Sequence, residues 1–348
     1  MIRPVAEPIR IGLVGAGMVS AYHLPAWKAL EPRIRLCGLA EPDEARARAC
    51  AREYGVGPLY DSLEALLRAQ PLDAVDIMTP PELHGQHCRL AASAGVAILC
   101  QKPLAPSWSE ARAIAQDLGA RVRWMVHENW RFRPHYRQVQ RWLQDGAIGR
   151  LRSGRLEVRS SGLLVGPDGM RPALVRQPLL GRLPRLMLAE VLIHHLDIAC
   201  WLSPARELRR AITAHAIPAL PGETAAEVLL ADAADTLSFE VSGDMADPSA
   251  PETLRDRMWL HGNAGEIRLD ENGLHLDSHG LRESMFVDFD VDYRRSYAGA
   301  IAHFAECLSA GRPFEAKPDW HLGLLALVER VYEMAGTSAT RPQQPTLS

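Results

Sequence analysis

A glycine-containing segment near the N-terminus has the residue types that bind a dinucleotide. Residues 9–20 predict a β-strand that turns directly into a helix. Gly15 permits the tight turn, Gly17 leaves room for a pyrophosphate near the backbone, and the small Ser20 stands where a third glycine would let helix pack on strand. The N–H groups and positive dipole end of such a helix favour phosphate. We therefore predict that Gly15, Gly17, Met18 and Val19 contact a dinucleotide cofactor.

The carboxylate of Glu41 is predicted to decide between the two nicotinamide dinucleotides. Glu41 directly follows the next predicted strand, where the partner of the ribose 2′-hydroxyl is expected. A carboxylate accepts hydrogen bonds from ribose hydroxyls and repels a 2′-phosphate, so the sequence favours NAD over NADP. The alternative is that Glu41 only caps the next helix beside Asp43, with Arg46 and Arg48 available to accommodate a phosphate.

Lysine is rare in this chain, and one lysine lies where chemistry is expected. Among 39 basic residues, the lysines are Lys28, Lys102 and Lys317. A lysine ammonium is compact and can release its proton when desolvated, whereas an arginine guanidinium cannot. Lys28 and Lys317 are predicted to be solvated, while Lys102 follows a predicted strand on the side of the presumed cofactor.

A second set of polar residues recurs within a predicted helix that is apolar almost all round. Glu190, His194, Asp197 and Trp201 are spaced i, i+4, i+7 and i+11, which places them on one face of an α-helix. A carboxylate one turn before a histidine can orient it for general acid or base catalysis. The alternative is a buried polar network that holds two domains together. His195 is rotated about 100° away and is predicted to be a hydrogen-bonded core histidine.

These residues require an α/β architecture with two domains. Residues 1–128 alternate apolar strands with amphipathic helices, which predicts a doubly wound parallel sheet with ligands at the carboxyl ends of its strands. Residues predicted to lie at those ends are Gly15, Glu41, Thr79, Pro80, Gln101 and Lys102. We assign this range to a dinucleotide-binding domain.

The remainder of the chain has a different pattern. Residues 129–340 are predicted to form an α+β domain for substrate binding and oligomerisation, with a largely antiparallel open sheet. Its predicted strands span 151–160, 207–217, 236–242 and 258–269, and its predicted helices lie near 187–202, 293–310 and 320–335. An alternative is that a C-terminal helix packs back on the first domain. Residues 341–348 are predicted to be a flexible tail.

Composition excludes several classes of protein. With 348 residues, 47% hydrophobic and 23% charged, the chain is typical of a soluble protein of about two domains. A net charge of -3 argues against a general nucleic-acid binder, and no apolar run reaches the roughly 20 residues of a membrane span. The first residues lack the apolar core of a signal peptide, and the six cysteines show no C-x-x-C spacing. We therefore expect a cytoplasmic enzyme with no metal, nucleic-acid or membrane partner.

Taken together, these residues resemble the Gfo/Idh/MocA family of nicotinamide-dependent oxidoreductases over nearly the whole chain. The matching motifs are Gly15-Ala16-Gly17, Thr79-Pro80-Pro81-Glu82-Leu83-His84, Gln101-Lys102-Pro103, the segment with Asn129, Arg131 and Pro134, and the trio Glu190, His194 and Asp197. The resemblance implies an N-terminal Rossmann domain and oxidation of a secondary alcohol of a sugar, sugar acid or cyclic polyol, or the reverse reaction.

The resemblance also implies roles for individual residues. Lys102 and His194 would be catalytic with Glu190 beside them, and His84, Thr79, Pro80 and Gln101 would join the glycine turn in binding NAD. Substrate would be bound by Asn129, Arg131, Glu190 and Asp197, and the arginine-rich segment described below adds Arg176 as a further candidate. The family further implies a homodimer or homotetramer formed through the C-terminal sheet. Alternatives on the same scaffold are a non-catalytic NAD-binding sensor, and a hydrolase or lyase that uses NAD transiently.

Departures from the family pattern predict an unusual substrate pocket. Gln101 replaces a glutamate and so removes an anion beside Lys102, Glu190 replaces an aspartate, and residues 182–187 replace a glycine-rich run.

The segment that leads into the Glu190 helix is rich in arginine. Arg171, Arg176, Arg182 and Arg185 lie there, and forked guanidinium groups suit carboxylates or phosphates. A small-molecule substrate of anionic type is therefore one prediction. The alternative is that this arginine segment is solvated or forms an interface between subunits.

Overall fold

The computed structural model describes residues 4–336, so the predicted tail at 341–348 lies outside the described residues. The chain forms two compact units. One unit consists of the residues up to Arg133 together with Tyr293–Leu325, and the other consists of Pro134–Asp292 together with the residues from Ala326 onward. The first unit is therefore discontinuous in sequence: its first segment ends at Arg133 rather than at residue 128, and its second segment agrees with the alternative in which a C-terminal helix packs back on the first domain.

The first unit contains a six-stranded parallel sheet. Its strands are β1 (Ile9–Val14), β2 (Ile34–Ala40), β3 (Leu59–Tyr60), β4 (Ala74–Ile77), β5 (Ala97–Gln101) and β6 (Trp124–His127). Their order is β3-β2-β1-β4-β5-β6, the doubly wound arrangement in which the direction of winding reverses between β1 and β4. Strands β4 and β5 are buried throughout, as expected where helices cover both faces of a parallel sheet.

Helices follow the strands in alternation and begin at residues suited to cap them. They are α1 (Ser20–Lys28), α2 (Glu44–Tyr54), α3 (Leu63–Ala69), α4 (Pro81–Ser93) and α5 (Trp108–Leu118). Asp43 and Ser62 cap the starts of α2 and α3 through their side chains, and Ser107 forms a capping box with Glu110 at α5. These local signals agree with the predicted alternation of strands and helices in residues 1–128.

The second unit contains an eight-stranded sheet. Its strands are β7 (Leu151–Arg159), β8 (Glu207–Ala214), β9 (Ala225–Ala231), β10 (Ser238–Asp244), β11 (Arg255–Gly262), β12 (Gly265–Asp270), β13 (Gly273–Ser278) and β14 (Leu281–Met285). Their order is β14-β13-β12-β11-β7-β10-β9-β8, and the pairing is antiparallel except between β7 and β10. Leu156 and Val158 are buried on one face of β7 and Arg155 is exposed on the other, but Glu157, on the same face as Arg155, is buried, so the alternation is incomplete.

The predicted strand over 258–269 is wrong in one respect. The structure has two strands there, β11 and β12, joined at Asn263 and Ala264. A two-residue connection between Gly262 and Gly265 reverses the chain, and a Cβ atom at Gly262 would lie 1.9 Å from the carbonyl oxygen of Ile148. The buried positions shift by one residue across the turn, from Met258 and Leu260 to Ile267 and Leu269, and this shift was not recognised in the sequence.

Helices complete both units. They are α6 (Pro134–Gln144), the short α7 (Pro172–Arg176), α8 (Ile193–Leu202), α9 (Phe289–Ala310) and α10 (Pro318–Met334). Within the first unit, Ala300, Ile301 and Phe304 of α9 share one apolar core with Ile11 and Leu13 of β1. This shared core explains why a C-terminal segment belongs to the first unit. Among the described residues, no helix is long and apolar enough to cross a membrane.

Candidate functional site

The carboxyl edge of the parallel sheet collects most of the predicted cofactor residues. Gly15 follows β1, Glu41 follows β2, Thr79 lies just beyond β4, and Lys102 follows β5. The reversal of winding between β1 and β4 opens a crevice at this edge, where open α/β sheets bind their ligands. The structure therefore brings these residues together at one edge of the sheet, and their contact with a cofactor stays a prediction.

The glycine turn fits a pyrophosphate. Gly15 has φ +94°, a left-handed conformation that favours glycine, and a Cβ atom there would lie 3.1 Å from the carbonyl carbon of Met78. A Cβ atom at Gly17 would have no neighbouring atom within 4 Å, so the backbone there borders open space. Helix α1 begins immediately afterwards, and Val19 provides no side-chain cap. The positive end of α1 is thus available to an anion beside the turn.

Glu41 is tied to the glycine turn. Its side chain is 6% exposed, and its Oε2 atom accepts a hydrogen bond from the Ala16 N–H at 2.8 Å. Its Oε1 atom accepts from the Asp43 N–H at 3.1 Å, while Asp43 itself supplies the side-chain cap of α2. Asp43 thus supplies the side-chain cap of α2, while Glu41 bonds backbone N–H groups on both sides of it, and its role in selecting NAD stays a prediction. Arg46 lies 3.6 Å from Glu41 Oε1, so its guanidinium is paired with this carboxylate.

His84 connects the ends of two strands. It is fully buried, with Nδ1 2.9 Å from the Pro103 carbonyl oxygen and Nε2 2.7 Å from the Thr79 carbonyl oxygen. Burial lowers the pKa of His84, because desolvation disfavours the imidazolium. Its ring thereby ties the segment after β4 to the segment after β5. Pro80 directly precedes α4, and Thr79 Oγ1 lies 3.1 Å from His87 Nδ1.

The backbone of Lys102 is hydrogen-bonded to the buried side chain of Gln101. The Lys102 N–H donates to Gln101 Oε1 at 3.1 Å, and Gln101 is 6% exposed. The amide nitrogen of Gln101 lies 2.6 Å from His23 Nε2 and 3.2 Å from His127 Nδ1. Neither histidine was predicted to belong to the site, because the two lie far from Gln101 in sequence.

Glu128 is a further residue that the sequence analysis missed. It lies one residue beyond β6 and is 1% exposed. Burial raises the pKa of Glu128, while the charges of His321, Lys102 and Arg131 act in the opposite direction. Its position after a buried parallel strand is the same signal that identified Glu41, and it could have been found in the same way.

Asn129 and Arg131, predicted to bind substrate, lie inside the first unit. The Asn129 amide donates to Ser296 Oγ at 2.7 Å. Arg131 is 1% exposed, and its guanidinium lies 4.9 Å from the centre of the Trp320 ring. Both side chains thus connect the segment after β6 to the C-terminal part of the same unit.

The second unit carries His194 on a helix that begins irregularly. Residues Met187–Leu192, including Glu190, form a π-helical turn, in which the Ile193 N–H donates to the Leu188 carbonyl five residues earlier. The regular α spacing assumed from the sequence therefore holds from α8 onward and not before it. Wide turns of this kind are rare in helices and are often found at functional sites.

His194 and its neighbour His195 have different surroundings. His194 is 4% exposed and Asp197, almost one turn later, is fully buried. His195 Nε2 lies 2.9 Å from Asp256 Oδ1, and its Nδ1 lies 3.3 Å from the Val191 carbonyl oxygen. These contacts confirm the prediction that His195 is a hydrogen-bonded core histidine.

The arginine-rich segment is bonded to its own unit. The Arg171 guanidinium donates to the Leu163 carbonyl, and the Arg176 guanidinium donates to the Glu252 carbonyl at 2.9 Å. Three of the four arginines named from the sequence thus have protein partners, since Arg185 donates two hydrogen bonds to the Glu329 carboxylate at 2.6 and 2.8 Å.

The described part of the chain was searched for clusters of metal-binding side chains. Across residues 4–336, no group of three or more His, Cys, Asp or Glu side chains could hold a metal ion. The six cysteines are free and buried, so neither a disulfide nor a thiolate metal site is formed by them.

Comparisons with known proteins agree with this geometry. A family model described as an oxidoreductase family with an NAD-binding Rossmann fold matches residues 9–123. D-apiose dehydrogenase of Paraburkholderia graminis is 32% identical over 343 residues, covering 94% of this chain and 88% of that protein. D-apiose dehydrogenase of Rhizobium rhizogenes is 28% identical, covering 94% of this chain and 95% of that protein.

A solved structure supports the same conclusion about the fold. The crystal structure of an oxidoreductase from Agrobacterium radiobacter, in complex with NAD+, L-tartaric acid and magnesium, aligns with a TM-score of 0.84. It is 26% identical in sequence, and the alignment covers 94% of this chain and 96% of that one. The likeness thus extends over both units.

Proposed function

Because this chain belongs to the Gfo/Idh/MocA family of oxidoreductases and is an NAD-dependent dehydrogenase of sugars or polyols, we propose that its substrate is a small neutral sugar such as D-apiose. Two relatives that align over nearly the whole chain carry that activity in their names. The Arg185 guanidinium is paired with the Glu329 carboxylate, so this member of the arginine-rich segment is not available to an anionic substrate.

One observation carries the proposal. Lys102, Glu41 and Gly15 lie at the carboxyl ends of strands in one parallel sheet. A cofactor whose pyrophosphate binds at the glycine turn can place its ribose at Glu41, and it then shares the sheet edge with Lys102. This combination of a dinucleotide turn and a titratable amine suits oxidation of an alcohol carbon rather than simple binding.

The reaction divides between cofactor and protein. When bound, NAD supplies the acceptor for the hydride that leaves the carbinol carbon. We assign to His194 the acceptance of the hydroxyl proton, and to Lys102 the stabilisation of the negative charge that develops on the same oxygen. The C–H electron pair thus leaves the substrate while the O–H proton goes to imidazole, and a carbonyl group remains.

Supporting roles go to residues around these two groups. Glu190, one π-helical turn before His194, would orient the imidazole, and Asp197 would bind a substrate hydroxyl. Asn129 and Arg131 would hold the segment after β6 in place for the substrate. Thr79, Pro80, Met18 and Val19 would contact the cofactor, and His84 would keep the strand ends at the correct spacing.

A hydroxy acid is the second candidate substrate. The oxidoreductase from Agrobacterium radiobacter was solved with L-tartaric acid, and Arg182 in the present chain is exposed near the start of the Glu190 segment. An exposed guanidinium could bind a carboxylate. Turnover of an acid should then fall with rising ionic strength, whereas turnover of a neutral sugar should not.

Cellular location and assembly are also proposed. Six free, buried cysteines suit the reducing cytoplasm, where we place the enzyme. The face of the eight-stranded sheet that carries Arg155 and Trp259 is a candidate surface for a homodimer or homotetramer, and Arg155 there bonds Glu240 while lying 5.8 Å from the Trp259 ring centre. Light scattering on the purified protein would measure the oligomeric state.

The test of the proposed function is a substrate panel. Purified protein with NAD+ is offered D-apiose, myo-inositol, levoglucosan and L-tartrate, and NADH is followed by absorbance. We expect the highest kcat/KM for D-apiose or another neutral sugar, and loss of NADH formation in Lys102→Ala. If the wild-type protein forms no NADH with any polyol or sugar while binding NAD+ normally, the proposal is refuted in favour of a sensor.

A further inference from the structure

A buried chain of polar side chains leads to the residue before Lys102. Asp76 lies in β4 and is fully buried. Its Oδ2 atom accepts a hydrogen bond from Trp27 Nε1 at 2.7 Å and lies 2.7 Å from His23 Nδ1. On the other side of the same ring, His23 Nε2 lies 2.6 Å from the amide nitrogen of Gln101. A carboxylate inside the sheet is thus connected to the strand end that carries Lys102.

Gln101 uses its whole amide group in this network. The amide nitrogen also lies 3.2 Å from His127 Nδ1, and the amide oxygen accepts from the Lys102 N–H at 3.1 Å. An amide NH₂ has two hydrogens and no lone pair to accept with, while its oxygen only accepts. Each N–H therefore meets a histidine nitrogen that must present a lone pair.

These bonds fix the protons on both histidines. His23 accepts at Nε2, so its proton is on Nδ1 and is donated to Asp76. His127 accepts at Nδ1, so its proton is on Nε2. Both rings are neutral, because a second proton on either would place an N–H against the amide N–H of Gln101.

We propose that Gln101 is a positioning residue: its amide holds His23 and His127 as neutral hydrogen-bond acceptors and fixes the peptide N–H of Lys102. The inference rests on the proposed catalytic role of Lys102. It assigns to Gln101 a role inside the first unit rather than direct contact with NAD. A glutamate side chain at this position has the same shape but could not donate these hydrogen bonds, because a carboxylate only accepts them.

Replacement of Gln101 by glutamate has a defined consequence for protons. The carboxylate would require an N–H from His23 Nε2 and another from His127 Nδ1. His23 would then carry two protons between Asp76 and the new carboxylate, and His127 would change tautomer. The variant thus gains one bound proton per molecule, which the wild-type network has no place for.

Other titratable groups surround the two rings. Tyr297 of α9 lies 5.5 Å from His23 and 5.2 Å from His127 between ring centres, and Tyr22 of α1 stacks on Tyr297 at 4.8 Å. Burial raises the pKa of Tyr297 well above its usual value, so this phenol stays neutral. Tyr293, whose pKa is raised for the same reason, has its hydroxyl 3.1 Å from that of Tyr297.

Ionisable groups around the network are Asp76 in β4, Lys102 after β5 and Glu128 after β6, together with Arg133, whose charge acts on Tyr293 and Tyr297. None of them changes in the glutamate variant. A new titration in Gln101→Glu would therefore be caused by the introduced carboxylate and its two histidines.

The first test reads the protons directly. Two-bond ¹H–¹⁵N correlation spectra of the full-length protein, with His23 and His127 assigned from His→Gln variants, report the tautomer of each ring. We expect the Nδ1-H form of His23 and the Nε2-H form of His127 in the wild type. In Gln101→Glu we expect His23 to be doubly protonated at neutral pH and His127 to carry its proton on Nδ1. A cationic His23 or an Nδ1-H His127 in the wild type would overturn the inference.

The second test measures the effect on turnover. Gln101→Met, which removes the bonds without adding charge, is expected to lower kcat by roughly tenfold to a hundredfold with an unchanged pH profile, because Lys102 loses its anchor. Gln101→Glu should lower kcat and shift its pH profile, with KM for the sugar little changed. Gln116→Glu, an exposed glutamine of the same unit, is the matched control and should behave as wild type.

The two tests separate the inference from the proposed function. The tautomer measurement requires no substrate, so it judges the network even if no sugar of the panel is oxidised. If the sugar is oxidised and both Gln101→Met and Gln101→Glu keep the wild-type kcat and pH profile, the positioning role of Gln101 is refuted.

Discussion

Alanine variants of the adjacent residues His194 and His195 test which of the two histidines contributes to turnover and which contributes to the stability of the protein. Both are buried, yet they have different surroundings. His195 bonds Asp256, which is 2% exposed and also accepts from the Tyr136 hydroxyl at 2.8 Å. His195→Ala should chiefly destabilise the protein, whereas His194→Ala should chiefly slow turnover.

The size of the stability effect follows from the contacts of Asp256. Truncation of a buried aromatic side chain to alanine costs about 3–5 kcal/mol, and His195→Ala also removes a hydrogen bond to a carboxyl group. The low end applies here, because the Tyr136 hydroxyl still donates to the Asp256 carboxylate when His195 is gone. A loss of about 3 kcal/mol, at roughly 2–4 °C per kcal/mol for a unit of this size, lowers Tm by roughly 6–12 °C.

The catalytic effect of His194→Ala is estimated from general acid and base catalysis. Loss of a positioned proton acceptor lowers kcat by roughly a hundredfold or more. The assay compares kcat from NADH absorbance, cofactor binding from NADH fluorescence and Tm from circular dichroism for both variants. NADH binding should survive in both, because the glycine turn and Glu41 are unchanged. An inactive His195→Ala protein with a native Tm, beside an active His194→Ala protein, would show that the roles are reversed.

Three further predictions concern the first unit. Lys102→Ala should lower kcat by roughly three orders of magnitude in steady-state kinetics, and Lys102→Arg should not restore it, since a guanidinium is broader and keeps its proton; a fully active arginine variant would contradict this. In calorimetric titrations, NAD should bind at least about tenfold tighter than NADP, a difference of about 1.4 kcal/mol in binding free energy. Glu41→Ala should reduce this difference, and equal affinities in the wild type would disprove the role of Glu41. Burial raises the pKa of Glu128, so its neutral form contributes to the free energy of unfolding. This contribution is complete below the usual pKa of 4.5 and is lost as pH rises through the raised pKa. Urea unfolding across this pH range should therefore show a smaller decline in the free energy of unfolding for Glu128→Gln than for the wild type.

Local sequence patterns were sufficient to predict the parallel sheet of the first unit and the residues at the carboxyl ends of its strands. Strand β1, the glycine turn and α1 were predicted because turn chemistry and apolar periodicity act over a few residues. The strand ends at Glu41 and Lys102 were found for the same reason. The family resemblance, confirmed by the comparisons, rests on such short motifs.

Only the tertiary structure decided which segments that are distant in sequence pack together. The chain returns at Tyr293 to complete the core of the first unit, because α9 offers an apolar face that the parallel sheet must cover. No local pattern states which sheet a helix will cover. A single boundary after residue 128 was therefore an oversimplification.

The polar interior of the site also depended on tertiary structure. His23, Asp76, Gln101 and His127 come from four different segments, and each has an ordinary reason to be a surface or core residue when read alone. The arginines near Arg176 looked available from the sequence, but the folded unit supplies them with carbonyl and carboxylate partners. Hydrogen bonds of this kind depend on distances of about 3 Å between atoms that are remote in the chain, and composition and periodicity do not encode those distances.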